Sequence, residues 1–362
     1  MKQWNLLAFV KIQPSPYTRK QSSLKLRNAL SFLLFSLLLS PIVATAADIT
    51  EQLHYPAIDK KVLLQSRDEA DTLLRLGETQ HIQGNPDKAV ESLLQAQEIY
   101  HSIGDLDALG LTYEFLGKGY VQLKQYKKAE DAIRRRLAIA RDTKDFQSQI
   151  FALNNIGTLL LQKGEFKTAL QTFEQALRIS QNLNSTEGYG ISLSNLGLAS
   201  ARVGDYNKAV KLYKNALNYR RKTGDPIGEA NTLNNLGEAY ALVGTYQDVV
   251  STYGAALRLA KTTRDNQNQL RAIDGLVTAY GSVGRYNSAI ELLEKRLAIA
   301  KDLRNLREEL NSFESYAQLY EKLGNYSTAR NFYERAITLA KTLEDSRKEV
   351  MLRDRVTQMM KK

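Results

Sequence analysis

Cysteine is absent from all 362 residues. That excludes disulfide staples, thiolate metal sites and cysteine nucleophiles, so stability must come from packing alone. Histidine is nearly as scarce: His54, His81 and His101 are the whole set, all near the N-terminus. Glu78 and His81 share a helix face at i, i+3, with His101 on the following helix, short of the three or four convergent ligands and outer shell that a metal needs. There is no H-E-x-x-H, no Walker glycine loop and no G-x-G-x-x-G. Gly117-Lys118-Gly119, the nearest fragment to a phosphate loop, lies inside a helical pattern and cannot cradle a phosphate without melting it. Serines and aspartates are plentiful but unlinked. The expectation is a protein with no catalytic residues, no cofactor and no small-molecule substrate. Tryptophan occurs once, at Trp4.

Charge of one sign is lacking over the longest stretch at the start of the chain. Residues 1–46 carry Lys2, Lys11, Arg19, Lys20, Lys25 and Arg27 and no acid. The formal charge of +11 therefore overstates the rest: without those six, 44 basic residues face 39 acidic ones. So mild a balance over 316 residues does not call for nucleic acid as a partner. After the basic stretch comes an apolar run, Ala29 to Ser40, then Pro41, then Ala44-Thr45-Ala46. This is the layout of a secretory signal cut after Ala46. Extended to Ala47, the apolar stretch reaches the length of a short membrane span, so an uncleaved anchor is the alternative and the only membrane attachment expected. The expected location is the periplasm or an equivalent lumen.

What the chain has in abundance is repetition. Gly84, Gly164, Gly204, Gly244, Gly284 and Gly324 stand 40 residues apart or a multiple of it, with Lys124 the one break. Two residues on come Pro86, Tyr126, Phe166, Tyr206, Tyr246, Tyr286 and Tyr326. A second glycine column runs Gly77, Gly117, Gly157, Gly197 and Gly237, then lapses to Val277 and Ala317, and a small-residue column runs Ala89, Ala129, Ala169, Ala209, Val249, Ala289 and Ala329. Seven units follow, 70–109 through 310–349. Each reads as two helices: Leu233, Leu236 and Tyr240 keep helical spacing up to Gly244, and Val249, Tyr253, Ala256, Leu257 and Ala260 resume it. The turn glycine serves a tight connection. Gly237 sits mid-helix at a cost of about 1 kcal/mol against alanine, which implies close approach of the paired helix. A basic residue near the end of most second helices, as at Arg141, Arg221, Lys261, Lys301 and Lys341, complements the helix dipole. Residues 47–69 are read as an N-terminal segment with a short leading helix over 56–69. Residues 350–362 are read as a trailing cap with Val350, Leu352 and Val356 inward and a frayed Met359-Met360 end. Repeat arrays need such caps.

The unit resembles the tetratricopeptide repeat, whose conserved offsets fall here at Leu236, Gly237, Tyr240, Val249, Tyr253 and Ala256. The resemblance covers 70–349. It departs from the usual 34-residue period, and the usual proline near the end of the second helix is missing, so that helix can run on; six added residues lengthen it by about 9 Å. The 40-residue form is similar to kinesin light chain and the animal G-protein-signalling modulators, which are peptide-binding scaffolds. The resemblance implies an all-α, right-handed superhelical solenoid whose first helices line a concave groove, with a protein or peptide as partner.

By the family's phasing the two residues before each Leu-Gly pair face that groove. The middle units offer Asn154, Asn155, Asn195, Asn234 and Asn235. A side-chain amide donates and accepts as a peptide bond does, so a ladder of them can hold an extended main chain. Alternatively they bond the neighbouring unit and set its angle. The ligand reading is preferred, because asparagine is a poor helix former. Charged residues flank them: Arg75, Glu78 and Lys118, with Asp71 and Glu114, on one side; Arg271, Asp274 and Glu314, with Glu321 and Lys322, on the other. The lysine–asparagine–arginine clamp for a C-terminal carboxylate, used by chaperone-binding members, is missing at matching positions. Two other functions fit the pattern. One is an exported assembly factor for a membrane-protein complex, such as a photosynthetic one, with or without a metal. The other is a structural subunit of an envelope complex.

Overall fold

The structure, a computed structural model, describes residues 60–361. The signal-like segment and its cleavage position therefore lie outside the described residues, as does the start of the expected leading helix. The described part is built of fifteen α-helices and no strand. In order they are α1 (Lys60–Ile82), α2 (Pro86–Ile103), α3 (Leu106–Gln122), α4 (Tyr126–Asp142), α5 (Phe146–Gln162), α6 (Phe166–Asn182), α7 (Thr186–Arg202), α8 (Tyr206–Thr223), α9 (Pro226–Val243), α10 (Tyr246–Thr262), α11 (Asn266–Ser282), α12 (Tyr286–Asp302), α13 (Leu306–Lys322), α14 (Tyr326–Thr342) and α15 (Ser346–Met359). Odd-numbered helices open the units and even-numbered ones close them. None of these helices is long and apolar enough to cross a membrane.

The period of 40 resolves into two halves of 20, and the punctuation explains why. Every connection contains one residue in the left-handed region, at 84, 104, 124 and so on to 344. Eight of these fourteen are glycines; the others are Lys124, Lys144, Asn184, Arg264, Arg304 and Glu344, with φ between 49° and 58°. At every connection but the one at Lys144, the residue after the left-handed one returns its N–H to a carbonyl five back, as in Gln125 to Tyr120 at 2.8 Å and Asp265 to Ala260 at 2.8 Å, closing the helix end. The lysine that breaks the glycine column thus keeps the glycine's backbone. First helices begin on a side-chain cap: Asp105, Asp145, Ser185, Asp225, Asp265, Asn305 and Asp345 each accept a backbone N–H two or three residues on. Second helices mostly lack one.

The mid-helix glycine column has the close-packing role its recurrence implies. A Cβ on Gly157 would meet the Phe173 ring at 2.4 Å, and one on Gly197 the Tyr213 ring at 2.7 Å. The ring from the second helix lies flat on the bare backbone of the first. Phe173 and Tyr213 are almost wholly buried as a result, and so is the small-residue column that contains Ala169 and Ala209. The apolar core is handed from unit to unit along the array.

Two end details differ from the sequence expectation. The leading helix is not a separate piece: α1 runs unbroken from Lys60 to Ile82, with Ala70 buried in its middle. At the other end α15 starts at Ser346 behind its Asp345 cap, which turns Val350 outward to 57% exposure and brings Leu352 and Met359 inward. Met359 is the last buried residue of the cap, at 3% exposure, while Met360 stays exposed.

Candidate peptide-binding groove

First helices of successive units touch one another directly, α5 with α7, α7 with α9 and α9 with α11, whereas no comparable contact joins successive second helices. First helices therefore sit on the inside of the curve. Their inner stripe is made by residues four apart on each helix, one helical turn. One column is Leu111, Phe151, Ile191, Asn231 and Arg271; the other is Phe115, Asn155, Asn195, Asn235 and Gly275. The stripe changes character along its length, from Leu111, Phe115, Phe151 and Ile191 to amides and then to Arg271.

The five asparagines separate into two groups. Asn154 and Asn234 are 2% and 1% exposed. Asn154 Nδ2 donates to the Ile150 carbonyl at 2.8 Å and to Ser192 Oγ of the next unit at 3.0 Å. Asn234 Nδ2 donates to the Asn268 carbonyl at 3.1 Å and to Asn268 Oδ1 at 2.9 Å, again across a unit boundary. As a ligand-facing residue Asn154 is corrected: it points between the helices and ties neighbouring units, and the Asn234 nitrogen does the same, while Asn234 Oδ1 is left without a partner. Asn155 and Asn195 are different. Asn155 is exposed, and no described residue engages its amide. Asn195 is half-buried; its Nδ2 donates to Asn154 Oδ1 at 2.9 Å, which leaves its own oxygen to the groove. Asn235 lies between the two groups. It is 8% exposed, and its Oδ1 accepts from Arg271 Nη2 at 2.7 Å.

The flanking charges also divide. Arg75 and Glu78 are exposed on α1, the guanidinium reaching only Thr72 on its own helix. Lys118 pairs with Glu114 one turn away at 2.9 Å. At the other end the charges hold the array together. Arg271 bridges Asn231 and Asn235, Asp274 takes two hydrogen bonds from Arg296, and Glu314 meets Lys348 of α15 at 2.6 Å. Asp71 and Glu321 accept from the Tyr100 and Tyr333 hydroxyls, at 2.5 and 3.1 Å. Burial, with the Asp71 bond behind it, pushes the Tyr100 hydroxyl well above the usual phenol range.

Arg296 escaped the sequence reading. Its column is alanine at 96, 176, 216, 256 and 336, and arginine only at 136 and 296. Burial works against its charge, yet the bonds to Asp274 and the carboxylates of Asp274 and Glu308 hold its pKa above the ordinary guanidinium value. The broken alanine column was the available signal. Also unforeseen is a cleft of about 670 Å³ between α9, α10 and α11, floored by Tyr253 and walled by Glu238 and Asp274. Among the described residues no cluster of three or more His, Asp or Glu is arranged to hold a metal ion.

The tetratricopeptide repeat model matches residues 68–142, 148–222, 228–302 and 275–342. No curated protein sequence matches the chain. Among solved structures, the apo form of RapI superposes with a TM-score of 0.60 at 16% identity, over 77% of this chain and 100% of that one. The Rap conjugation regulator of plasmid pLS20, in complex with the Phr* peptide, gives 0.56 at 17% identity, over 75% and 74%. The kinesin light chain TPR-like repeats from Podosopora anserina give 0.48 at 24% identity, over 54% and 96%.

Proposed function

The chain belongs to the tetratricopeptide repeat family, and on that premise we propose that it is a scaffold that holds an extended peptide or protein segment along its inner stripe. The observation that carries this reading is the pair Asn155 and Asn195: successive amides on the inner face, each with hydrogen-bonding capacity that its own fold leaves unused. Helices packed roughly 8–10 Å apart set such amides about three residues of an extended chain apart, at roughly 3.3 Å each. Main-chain groups of a segment lying along the stripe can then be met once per unit, with little regard to sequence. Leu111, Phe115, Phe151 and Ile191 add apolar surface at one end. The pLS20 Rap regulator carries the Phr* peptide in its structure; at 17% identity that likeness extends to the fold, and support for binding comes from this chain's own groove.

We infer from the sequence that the groove works outside the cytoplasm. The basic, acid-free stretch, the apolar run of Ala29 to Ser40 and the Ala44-Thr45-Ala46 segment support removal of a leader after Ala46. Protein isolated from its native envelope should begin at Ala47. Without Trp4 it should show tyrosine emission alone; an intact N-terminus by mass spectrometry would reject cleavage.

The binding reading is tested by photo-cross-linking in native cells, with a photoreactive residue at position 195 and a control at the exposed Lys211 on α8. A partner captured through 195 and not through 211, with cross-links mapping to an extended stretch of it, is the expected result. Equal capture at both positions would transfer the function to the outer face.

A further inference from the structure

Gly275 interrupts the inner stripe. Its column offers Phe115, Asn155, Asn195, Asn235 and Ser315, and at this one place no side chain. Tyr253 is the reason: a Cβ on Gly275 would meet its ring at 2.3 Å, and one on Gly237 would meet the same ring at 2.9 Å. The ring is wedged between two bare backbones, one on α9 and one on α11, and above it the 670 Å³ cleft opens.

Two buried polar atoms of this cleft lack partners, and its two carboxylates outnumber its one cation. Asn234 lines it and is 1% exposed; both bonds of its amide are made by nitrogen, and its Oδ1 is buried without a partner. The Tyr246 hydroxyl is likewise buried and unpartnered. Glu238 stands exposed at the mouth and forms no ion pair with a described residue. Asp274 leans on Arg296 but keeps 44% of its side chain in solvent. The one cation of the mouth, Arg271, is turned to the amide oxygens of Asn231 and Asn235. Counting Arg296 and Glu308 behind them, three carboxylates, Glu238, Asp274 and Glu308, stand near two cations, Arg271 and Arg296, which leaves one negative charge unmatched. The walls beneath are apolar and aromatic: Val249, Tyr253 and Ala279.

We propose that this cleft is a specificity pocket for one basic side chain, arginine or lysine, of the segment held in the groove. The methylene stem lies on Val249 and the Tyr253 ring, the cation meets Glu238 and the free edge of Asp274, and its N–H groups supply the donor that Asn234 Oδ1 lacks. Tyr253 stays a neutral phenol there, because burial first and the Glu238 charge second push it up to about 12. An acidic side chain would face two carboxylates, and an aliphatic one would leave the orphan acceptor unmet.

The pocket rests on the groove reading for its partner, but it can be probed without one. N-acetyl-arginine methylamide is titrated into the protein and followed by backbone amide NMR, beside the norleucine and glutamate equivalents. The arginine probe should shift the Gly275 and Ala279 resonances saturably, and the other two should not. Glu238→Gln, an exposed and fold-neutral change, should weaken it roughly three- to tenfold, and Glu238→Lys should abolish it. Equal shifts from norleucine, or an arginine response untouched by Glu238→Lys, would overturn the pocket. The groove fails separately. Binding of the arginine probe with equal cross-linking at 195 and 211 would support the pocket and sink the extended-segment reading.

Discussion

Arg296 on α12 holds Asp274 of α11 with two hydrogen bonds, 2.6 Å from Nε and 3.1 Å from Nη2, and its guanidinium also reaches Glu308 and Ser312 on α13. One side chain, 3% exposed, thus joins three helices of two units in a column where the other units place alanine or, at 136, arginine. Removing a buried partner strands the rest. Arg296→Ala should cost about 2–4 kcal/mol, below the ~3–5 expected of a fully buried pair because Asp274 is partly solvated. Adding Asp274→Asn and Glu308→Gln should restore more than half of the loss. Urea unfolding of the single and triple variants, with hydrogen exchange read on α11 to α13, checks both. If the triple variant is no better than the single one, charge stranding is not the cause.

The left-handed turn residues give a stabilising prediction. Lys144, Arg264, Arg304 and Glu344 are exposed and hold φ between 49° and 57°. A left-handed L-residue costs about 1–2 kcal/mol, against the ~0.4–1 kcal/mol that glycine loses through a freer unfolded chain. Each change to glycine should therefore add about 0.5–1 kcal/mol. The reverse change, Gly204→Ala at φ 88°, should destabilise. Thermal melts of the five variants decide it, and no gain at any of the four would mean the side chains stabilise the turns in ways the backbone does not reveal.

The array should tolerate loss of a whole period and not of half a period. Deleting 190–229 removes forty residues and rejoins α7 in register, so every unit still meets a neighbour. Deleting 190–209 joins the start of a first helix to the interior of a second, and with Gly197 gone it uncovers the Tyr213 ring. The first variant should stay helical and monodisperse by circular dichroism and gel filtration, and the second should aggregate. Identical behaviour would contradict the 40-residue unit.

The fold was legible because its causes are periodic. The glycine under Phe173 and Tyr213, the buried alanines and the turn residues recur at fixed steps, and repetition displays them without any alignment. The second column of left-handed turns was harder to see, since Lys144, Arg264, Arg304 and Glu344 do not announce a positive φ as glycine does. The groove was legible only by analogy of phase. Asn154 and Asn155 are neighbours in sequence but about 100° apart around a helix, so one faces the next unit and the other faces solvent. Which is which depends on packing against Ser192, 38 residues away. The cleft over Tyr253 was invisible for a related reason: it opens above a ring that packs where Gly275 carries no side chain, and a glycine outside the expected columns does not announce such a contact.

That division between neighbouring asparagines gives the sharpest test of the groove. Asn155→Ala and Asn195→Ala together should leave the array folded, since alanine is the better helix former, at the price of one cross-unit bond from Asn195. If each meets a bound main chain with one hydrogen bond worth roughly 0.5–1.5 kcal/mol, the pair should cost about 1–3 kcal/mol, a loss of roughly five- to 150-fold in affinity. Asn154→Ala should do the opposite. It removes the bond to Ser192 and strands the Asn195 amide nitrogen, so stability should fall by about 1–3 kcal/mol while a captured segment binds within about twofold of wild type once the protein is folded. Calorimetric titration of the segment caught through position 195, set beside urea melts of both variants, separates the two roles. Loss of affinity from Asn154→Ala at full stability would put that buried amide in the binding site after all; unchanged affinity in the Asn155/Asn195 variant would take the amide ladder out of the groove.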